Sequence, residues 1–356
     1  MVPAGPSIGT ASSLLKPELM FNDTYAYRGS MSRTMRDHFS RFSSHVKKSL
    51  PKNPIVLEIG SNDGVFLRNW EQQSTYAVEP CSNFAEETNN MGYRTYNKFW
   101  TKELAETILD ELGHIDLVFA ANCMCHIPDL DQTFSAVETV LSDDGFFIFE
   151  DPSLANMINL NSYDQIYDEH PHIFSVIALK NILERNGLSI VRVDNTDVHG
   201  GSNRIWVQKS KVANPDSSVE NNISYEKILG LDRACTFDRF YENVEDSKSD
   251  LLLLVSRCVE HGKKVISYGA TSKSTTVFNY CGLGPELIQY ITDTTPEKQN
   301  KFSPGVHIPI VNPKENFNNS VDYAFLGAWN FVDEIKSNES EYTGKFITHV
   351  PIVRVV

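Results

Sequence analysis

The stretch VLEIGSNDGVFL, Val56 to Leu67, decides the fold of this chain. It begins as an apolar run, passes through a loop containing Gly60 and Gly64, and ends where the start of a helix is expected. Glycines at such a turn let the backbone bend sharply and approach a ligand closely at the carboxyl edge of a strand. The stretch therefore predicts the first strand-to-helix turn of an open α/β sheet.

Further short apolar runs alternate with amphipathic segments along the chain. These apolar runs are TYAVEP, IDLVFAAN and GFFIFED. This alternation is typical of a parallel sheet covered on both faces. Two more runs, LSIVRVDNT and SNRIWVQKS, flank a Gly-Gly turn and predict an antiparallel edge pair. Apolar residues at helical spacing from Met31 to Val46 predict a lead-in helix.

A second α/β rhythm begins at KVISYGA, after a segment from Val212 to Gly262 that is predicted to be helical. It continues through a helix from Thr271, the strands LIQYITDTT and DYAFLGAWN, and a final strand FITHVPIVRVV. A chain of 356 residues can bury two cores. We predict two Rossmann-like α/β lobes, a cofactor domain over residues 51–210 and a substrate domain over residues 211–356. Residues 1–50 are predicted to precede them as a leader that is flexible over 1–13 and then forms the lead-in helix.

Composition and charge exclude several classes of function. With 32 basic and 46 acidic residues, the formal charge of -14 opposes binding to nucleic acid. No apolar run approaches the ~20 residues that span a bilayer, and the first residues lack the pattern of a signal peptide. We expect a soluble, cytoplasmic protein with a small-molecule substrate and no membrane partner; the sequence leaves the oligomeric state open. Among six cysteines, Cys123 and Cys125 form a C-x-C without a second pair at zinc spacing, so no metal is predicted.

The glycine loop predicts the cofactor. Asp63 would face a pyrophosphate unfavourably, whereas an acidic loop suits the sulfonium and amino-acid end of S-adenosylmethionine. Glu79 ends the next strand, where a carboxylate accepts hydrogen bonds from both ribose hydroxyls. The alternative is an ordinary turn with a surface glutamate. The predicted cofactor residues are Glu58, Gly60, Ser61, Asn62, Asp63, Gly64, Glu79, Pro80, Ala121 and Asn122.

The segment SYDQIYDEHPHIFS, residues 162–175, resembles the deoxysugar C-methyltransferases that act on nucleotide-linked keto-sugars. The likeness extends from about residue 16 to the C-terminus through PELMFNDTYAYRGSMS, VLEIGSNDG, VHGGSNRIWV, SYGATSKSTTVFNYCG, ITDTTPEKQNKFSPGVHIPIV and AWNFVDEI. It implies that the first lobe has the class I fold of methyltransferases that use S-adenosylmethionine. Members usually begin with a cysteine-rich zinc module; the first cysteine here is Cys81, so we expect no zinc.

Methylation at carbon requires a base that removes a proton next to a ketone and a donor for the enolate oxygen. His170 can be that base, with His172 as its competitor, and we expect Glu169 to contact substrate or water. The alternative is a polar helix entrance. For His126, beside the cofactor loop, the alternative is a capping or core histidine. The resemblance implies catalytic or substrate-contacting roles for Tyr167, Glu169, His170, His126 and one of Tyr25 and Tyr27.

In the second lobe, SYGATSKST predicts a glycine turn before a helix, whose start and Lys273 would hold a diphosphate. Asp293 would take the place of Glu79 and contact a ribose or base. The resemblance gives the turn around Gly200 a place near the sugar, although a simple hairpin explains its glycines, and the lobe could also be purely structural. The predicted substrate residues are Ser202, Arg204, Thr271, Lys273, Asn279 and Asp293.

The predicted function is therefore transfer of a methyl group from S-adenosylmethionine to a carbon of a nucleotide-linked keto-deoxysugar, through an enolate. Two alternatives stay open: methylation of oxygen or nitrogen of a small metabolite, and a non-catalytic protein that binds the cofactor.

Overall fold

The computed structural model describes the backbone of residues 8–10 and all of residues 16–356. Most of the predicted flexible leader lies outside these residues. The chain forms two compact units. The first unit comprises the chain up to Ala155 and Asp168–Arg233, and the second comprises Asn156–Tyr167 and Ala234–Val356. The predicted boundary at residues 210 and 211 thus differs from the division seen in the structure.

The strands are β1 Ile8–Thr10, β2 Val56–Ile59, β3 Thr75–Val78, β4 Arg94–Tyr96, β5 Ile115–Ala121, β6 Leu141–Pro152, β7 His172–Phe174, β8 Leu188–Thr196, β9 Ser202–Lys209, β10 Val265–Tyr268, β11 Ile291–Thr292, β12 Ile310–Val311, β13 Tyr323–Leu326, β14 Lys345–Thr348 and β15 Arg354–Val355. The helices are α1 Pro17–Met20, α2 Arg33–Val46, α3 Ser82–Asn90, α4 Lys102–Leu112, α5 Leu130–Val140, α6 Leu154–Leu160, α7 Val176–Arg185, α8 Ser217–Leu229, α9 Ala234–Glu260, α10 Ser272–Cys281, α11 Pro313–Asn316 and α12 Val332–Asn338.

The first unit is built on a seven-stranded sheet of order β4-β3-β2-β5-β6-β9-β8. Its strands from β4 to β6 are parallel, and β9 pairs antiparallel with both β6 and β8. The predicted parallel sheet and its antiparallel edge pair are confirmed. The central position of β2 places the glycine loop at the carboxyl edge, between the ends of β3 and β5.

The prediction of a helix directly after the glycine loop is wrong. Between β2 and β3 the chain forms turns and two short 3-10 helices, Leu67–Asn69 and Gln72–Ser74. The lead-in helix α2, which the sequence does predict, covers this face of the sheet instead. Phe42 on α2 lies 5.1 Å from the ring of Phe119, and Phe66 stacks on Phe119 at 4.0 Å. The segment after the loop therefore buries its apolar side chains without a full helix.

The second unit is built on a six-stranded sheet of order β12-β11-β10-β13-β14-β15. All pairs are parallel except β14 with β15. The single final strand predicted from Phe346 to the C-terminus is wrong, because the chain turns after Thr348 and returns as β15. The helical segment predicted before β10 is confirmed as α8 and α9. Among the described helices, none has the length and apolar character needed to cross a membrane.

Candidate active site

The glycine loop begins at the carboxyl end of β2. Gly60 and Gly64 have φ angles of +75° and +76°, a region that side chains with a Cβ rarely adopt. A Cβ on Gly60 would also lie 2.7 Å from the Sγ atom of Cys123. The Gly60 N–H donates to the carbonyl of Val78 at 2.8 Å, which ties the loop to β3. Both predicted glycines are therefore required by the backbone.

Glu79 follows β3 and turns its carboxylate toward this loop. Its Oε2 accepts the N–H of Asn62 at 2.7 Å and its Oε1 accepts the N–H of Cys81 at 2.8 Å. Burial raises the pKa of Glu79, and these hydrogen bonds offset part of that rise. Each carboxylate oxygen has a second lone pair, so the group can also accept a hydrogen bond from a ligand hydroxyl. Pro80, the next residue, is only half-buried.

Two polar groups beneath the loop lack partners. Glu58 Oε2 and Ser61 Oγ are buried and have no hydrogen-bond partner among the described residues. Burial, together with the charges of Glu79 and Asp63, holds the pKa of Glu58 well above its usual range. A cationic ligand with hydroxyl groups would relieve this repulsion and supply hydrogen bonds. The loop therefore fits S-adenosylmethionine, whose methyl group is bound to a positively charged sulfur.

Asn62 and Asp63 bind the chain's own lead-in, residues Tyr25–Ser30, which we call the strap. Asn62 accepts the Gly29 N–H at 2.9 Å through its Oδ1 and donates to the Tyr27 carbonyl at 2.9 Å through its Nδ2. Asp63 Oδ2 accepts the hydroxyl of Ser30 at 2.6 Å. The sequence predicted cofactor contacts for both side chains and did not reveal this role. Ser30 lies within the family-like lead-in, but nothing in its spacing identifies its partner.

At the neighbouring strand end, Ala121 is the last residue of β5. Residue Ala120 of β5 pairs with Ile59 of β2, so β5 ends beside the glycine loop. Asn122 has a φ of +48° and donates its N–H to the carbonyl of Glu150 at 2.7 Å. This turn leads into the 3-10 helix Met124–His126. It therefore brings His126 to the same edge of the sheet.

Four of the predicted catalytic residues come together in the first unit. The Tyr25 hydroxyl donates to Glu169 Oε2 at 3.2 Å. Nδ1 of His126 forms a short hydrogen bond with the Glu169 carbonyl. The ring centroids of His126 and His170 are 5.0 Å apart. A hydroxyl, a carboxylate and two imidazoles from residues far apart in the chain thus meet.

The other candidates for this chemistry are placed differently. The backbone carbonyl of Tyr27 accepts a hydrogen bond from Asn62, and the residue is 45% exposed. Tyr167 belongs to the second unit. His172, the competitor for the base role, shares a hydrogen bond between its Nε2 and the Pro128 carbonyl at 3.1 Å. Burial lowers the pKa of His172, although backbone hydrogen bonds oppose this shift.

A cysteine lies close to the pair formed by His126 and His170. The Sγ atom of Cys125 and one ring nitrogen each of His126 and His170 all lie within 4.8 Å of one another. This spacing is close enough for the three atoms to share a metal ion, which the sequence does not predict. The prediction that the protein holds no metal is therefore left to experiment.

Arg204 lies in a buried ion pair. Its Nε donates to Glu150 Oε2 at 2.9 Å, and His38 Nε2 lies 2.7 Å from Glu150 Oε1. Burial alone would raise the pKa of Glu150, but the hydrogen bond to His38 and the charge of Arg204 lower it overall. The guanidinium also stacks 4.1 Å above the ring of Phe42. These contacts account for Arg204 without a ligand, and Ser202 likewise donates within its own turn, to the Val198 carbonyl at 3.2 Å.

The second unit repeats the arrangement of the glycine loop and Glu79. Gly269, with a φ of +95°, donates its N–H to the Thr292 carbonyl at 2.8 Å. Asp293 follows β11 and accepts the N–H groups of Ala270 and Thr295, each at 2.8 Å. Glu79 accepts the N–H of the loop and of the residue two positions ahead in the same manner. The predicted correspondence of Asp293 with Glu79 therefore extends to their hydrogen bonds.

The remaining predicted substrate residues surround the start of α10. Thr271 caps this helix by accepting the Ser274 N–H at 3.0 Å. Lys273 Nζ donates to Gln165 Oε1 at 3.0 Å, within the second unit. Asn279 is exposed and donates to the carbonyls of Thr275 and Pro304. Each side chain thus has a structural contact in addition to any role toward a ligand.

Two protein families match successive parts of this chain. Residues 27–193 match a family described as a methyltransferase domain, and residues 197–351 match the C-methyltransferase C-terminal domain. The C-methyltransferase NovU of Streptomyces niveus is 32% identical over 355 residues, which cover 98% of this chain and 84% of NovU.

Solved structures show weaker likeness. The magnesium protoporphyrin IX methyltransferase of Synechocystis PCC 6803 with bound SAM has a TM-score of 0.36 and 14% identity, covering 50% of this chain and 79% of its own. An S-adenosylmethionine-dependent methyltransferase of Clostridium acetobutylicum ATCC 824 has a TM-score of 0.37 and 14% identity, covering 49% of this chain and 92% of its own.

The parallel sheet, its glycine loop and the methyltransferase domain match define an S-adenosylmethionine-dependent methyltransferase with a Rossmann-like fold. More particularly, the chain belongs to the family of C-methyltransferases that includes NovU.

Proposed function

We propose that this protein transfers the methyl group of S-adenosylmethionine to a carbon atom of a nucleotide-linked keto-deoxysugar, as the sequence predicts. The observation that carries the proposal is the cluster of Tyr25, His126, Glu169 and His170 beside the turn that follows β5. Methyl transfer to carbon requires a base and a hydrogen-bond donor at one place, and this cluster supplies both. The family membership supports carbon as the acceptor atom.

His170 is the base in this proposal. A ring nitrogen takes the proton from the carbon next to the ketone, and the C–H electron pair becomes the double bond of an enolate. The negative charge moves to the former carbonyl oxygen, and the enolate carbon is then the methyl acceptor. When bound, S-adenosylmethionine supplies an electrophilic methyl group. A neutral imidazole nitrogen can accept this proton.

The neighbours of His170 divide the remaining tasks. Because Nδ1 of His126 faces the Glu169 carbonyl, its neutral ring carries hydrogen on Nδ1 and offers Nε2 as an acceptor. His126 then suits a sugar hydroxyl, or serves as the alternative base. The Tyr25 hydroxyl, which donates its one hydrogen to Glu169 in the free protein, would turn that hydrogen to the enolate oxygen when substrate is bound.

The nucleotide portion is assigned to the second unit. Its glycine turn at Gly269 and the carboxylate of Asp293 reproduce the hydrogen bonds that Glu79 makes at the cofactor loop. A carboxylate in that position accepts hydrogen bonds from ribose hydroxyls. The N-terminus of α10, with Lys273 in its first turn, favours a diphosphate. These features support a nucleoside diphosphate as the carrier of the sugar.

The identity of the methylated atom tests the proposal. The protein is incubated with S-adenosylmethionine labelled with ¹³C in its methyl group and with a set of nucleotide-linked 4-keto-deoxysugars. We expect one labelled methyl group bound to carbon next to the ketone, detected by mass and by ¹³C–¹H NMR. A methyl group bound to oxygen or nitrogen would contradict the proposal and favour the small-metabolite alternative. Cofactor binding without transfer to any of these sugars would favour a non-catalytic protein.

The base is tested by proton exchange. In deuterium oxide the wild-type protein should introduce deuterium at the carbon next to the ketone. His170→Asn should slow exchange and turnover by about 10²–10⁴-fold, because general-base catalysis typically contributes that much. His261→Asn, an exposed histidine at the end of α9, is the matched control and should change neither rate. Exchange at the wild-type rate in His170→Asn would transfer the base role to His126 or His172.

A further inference from the structure

The residues directly before the proposed base belong to the second unit. The chain enters this unit at Asn156 and leaves it after Tyr167, and we call this stretch the anchor segment. Glu169 and His170 follow at once in the sequence. Consecutive Cα atoms are about 3.8 Å apart, so the end of the anchor segment limits where these two residues can lie.

Side chains near the end of the anchor segment are held inside the second unit. Tyr163, Asp164 and Gln165 are all buried. Asp164 Oδ2 accepts the indole N–H of Trp329 at 2.6 Å, and its Oδ1 lies 3.5 Å from Nε2 of His349. Trp329 lies after β13 and His349 directly follows β14. These contacts therefore hold Asp164 at the carboxyl edge of the second sheet.

Gln165 contacts the residue to which we assign the diphosphate. Its Oε1 accepts a hydrogen from Lys273 Nζ at 3.0 Å. An ammonium group carries three hydrogens, and the bond to Gln165 uses one of them. The hydroxyl of Thr276 donates to the Ile166 carbonyl at 3.5 Å, which joins the same two elements again. The first turns of α10 thus contact the anchor segment at the helix end proposed to bind the diphosphate.

We propose that the diphosphate of the sugar nucleotide accelerates proton removal as well as binding, and that Gln165 is the positioning residue that transmits this effect. A bound diphosphate holds Lys273 at the start of α10, and the hydrogen bond from Lys273 then holds Gln165 and the anchor segment. Glu169 and His170 meet the sugar in fewer arrangements as a result. The inference rests on the proposed function, which assigns the diphosphate to Lys273 and the base to His170.

Kinetics distinguish this role from simple attachment of the substrate. Binding energy from a part of the substrate that does not react can organise the reacting centre, and a shortened substrate then loses kcat as well as affinity. A diphosphate that only retained the sugar would change KM and leave kcat unchanged. The difference can be measured before the natural sugar or base is known.

The test divides the substrate into two pieces and uses the full chain with the demethylated cofactor, so that no methyl transfer follows. One piece is the methyl glycoside of a 4-keto-deoxysugar, which carries no phosphate. The other is a nucleoside diphosphate with uracil, thymine, guanine, adenine or cytosine as its base. Deuterium uptake at the carbon next to the ketone measures proton removal. A saturating nucleoside diphosphate should raise this rate roughly tenfold in the wild type, a size typical of coupling between sites.

Gln165→Met removes the acceptor for Lys273 and keeps a side chain of similar length. Saturating nucleoside diphosphate should then raise the uptake rate by less than about twofold. Gln289→Met, at an exposed glutamine of the second unit, is the matched control and should keep the wild-type activation. Combining Gln165→Met with Lys273→Met should remove no more activation than either change alone, because both break the same hydrogen bond. If Gln165→Met does not fold, Lys273→Met at saturating nucleoside diphosphate tests that bond from its other partner.

The outcomes separate this inference from the proposed function. If a bound nucleoside diphosphate does not accelerate uptake in the wild type, the inference is overturned, even where the intact sugar nucleotide is methylated at carbon. Full activation in folded Gln165→Met would overturn it as well. Methylation of no nucleotide-linked keto-sugar would refute the proposed function, and the inference with it. Activation in the wild type that is lost in Gln165→Met would support both.

Discussion

The hydroxyl of Ser30 donates a hydrogen bond of 2.6 Å to Oδ2 of Asp63, which also accepts the Ser30 N–H at 3.2 Å. A residue that precedes α2 therefore holds the acidic side chain of the glycine loop. Asn62, beside it, binds Tyr27 and Gly29 of the same strap. The strap thus fixes the conformation of the loop that we assign to the cofactor.

Ser30→Ala should weaken the binding of S-adenosylmethionine. The change removes a hydrogen bond to a carboxylate, which is worth about 1.5–3 kcal/mol, and part of this loss should appear as a roughly threefold to thirtyfold higher Kd. Calorimetry measures the Kd. Ser44→Ala, which removes a hydroxyl bound to the Ser40 carbonyl on the exposed side of α2, is the control. Equal affinities in both variants would show that the strap does not support the loop.

Glu79→Ala should also weaken cofactor binding, because it removes the carboxylate predicted to accept the ribose hydroxyls. We expect a loss of roughly 1–3 kcal/mol in the binding of S-adenosylmethionine or its demethylated product. The exposed Glu71, replaced by alanine, serves as the control. If calorimetry shows that folded Glu79→Ala binds S-adenosylmethionine with unchanged affinity, Glu79 does not bind the cofactor ribose.

Arg204→Met should destabilise the fold rather than weaken substrate binding. Without the guanidinium, the buried charge of Glu150 keeps only His38 as its partner, and breaking a buried ion pair typically costs about 3–5 kcal/mol. The Tm should fall while the KM for substrate stays near that of the wild type. Arg192→Met, which removes a more exposed ion pair with Asp194, should lower the Tm much less. A raised KM with an unchanged Tm would restore the predicted substrate role of Arg204.

Asp151 should make stability depend on pH. Its pKa of about 7 in the folded protein lies above its ordinary value near 4, so between these values the folded state keeps a proton that the unfolded chain has released. Stability conferred by this group is therefore fully present below about pH 4 and declines as pH rises to about 7; the cost above that is on the order of 4 kcal/mol. Asp151→Asn should raise the Tm more at pH 8 than at pH 5. An equal change at both pH values would contradict the raised pKa.

The purified protein should contain no stoichiometric zinc. Cys123 and Cys125 have no second cysteine pair at zinc spacing, and the predicted reaction uses the histidines as free imidazoles. Elemental analysis measures the metal content of the full chain. A value near one zinc per chain would contradict the prediction, and its loss in Cys125→Ser would locate the ion at the cluster with His126 and His170.

Much of the fold follows from local sequence. Short apolar runs separated by amphipathic segments predicted the parallel sheets, because strands buried on both faces have no polar positions to alternate with. The helical spacing of Met31–Val46 predicted α2. The helix expected after the glycine loop failed because α2, from an earlier part of the chain, already covers that face. The short strand β4 was missed, since three residues carry little periodic signal.

The sequence by itself determined the glycine loop and Glu79, because the backbone conformation at Gly60 and Gly64 and the end of a strand are local properties. Only the tertiary structure decided which distant side chains use them. In the folded chain Ser30 donates a hydrogen bond to Asp63, and Tyr25 donates one to Glu169. Arg204 donates one to Glu150. The physical reason is that the pairing of a buried polar group depends on which elements pack against it, and residues far apart in the chain carry no periodicity that records this contact.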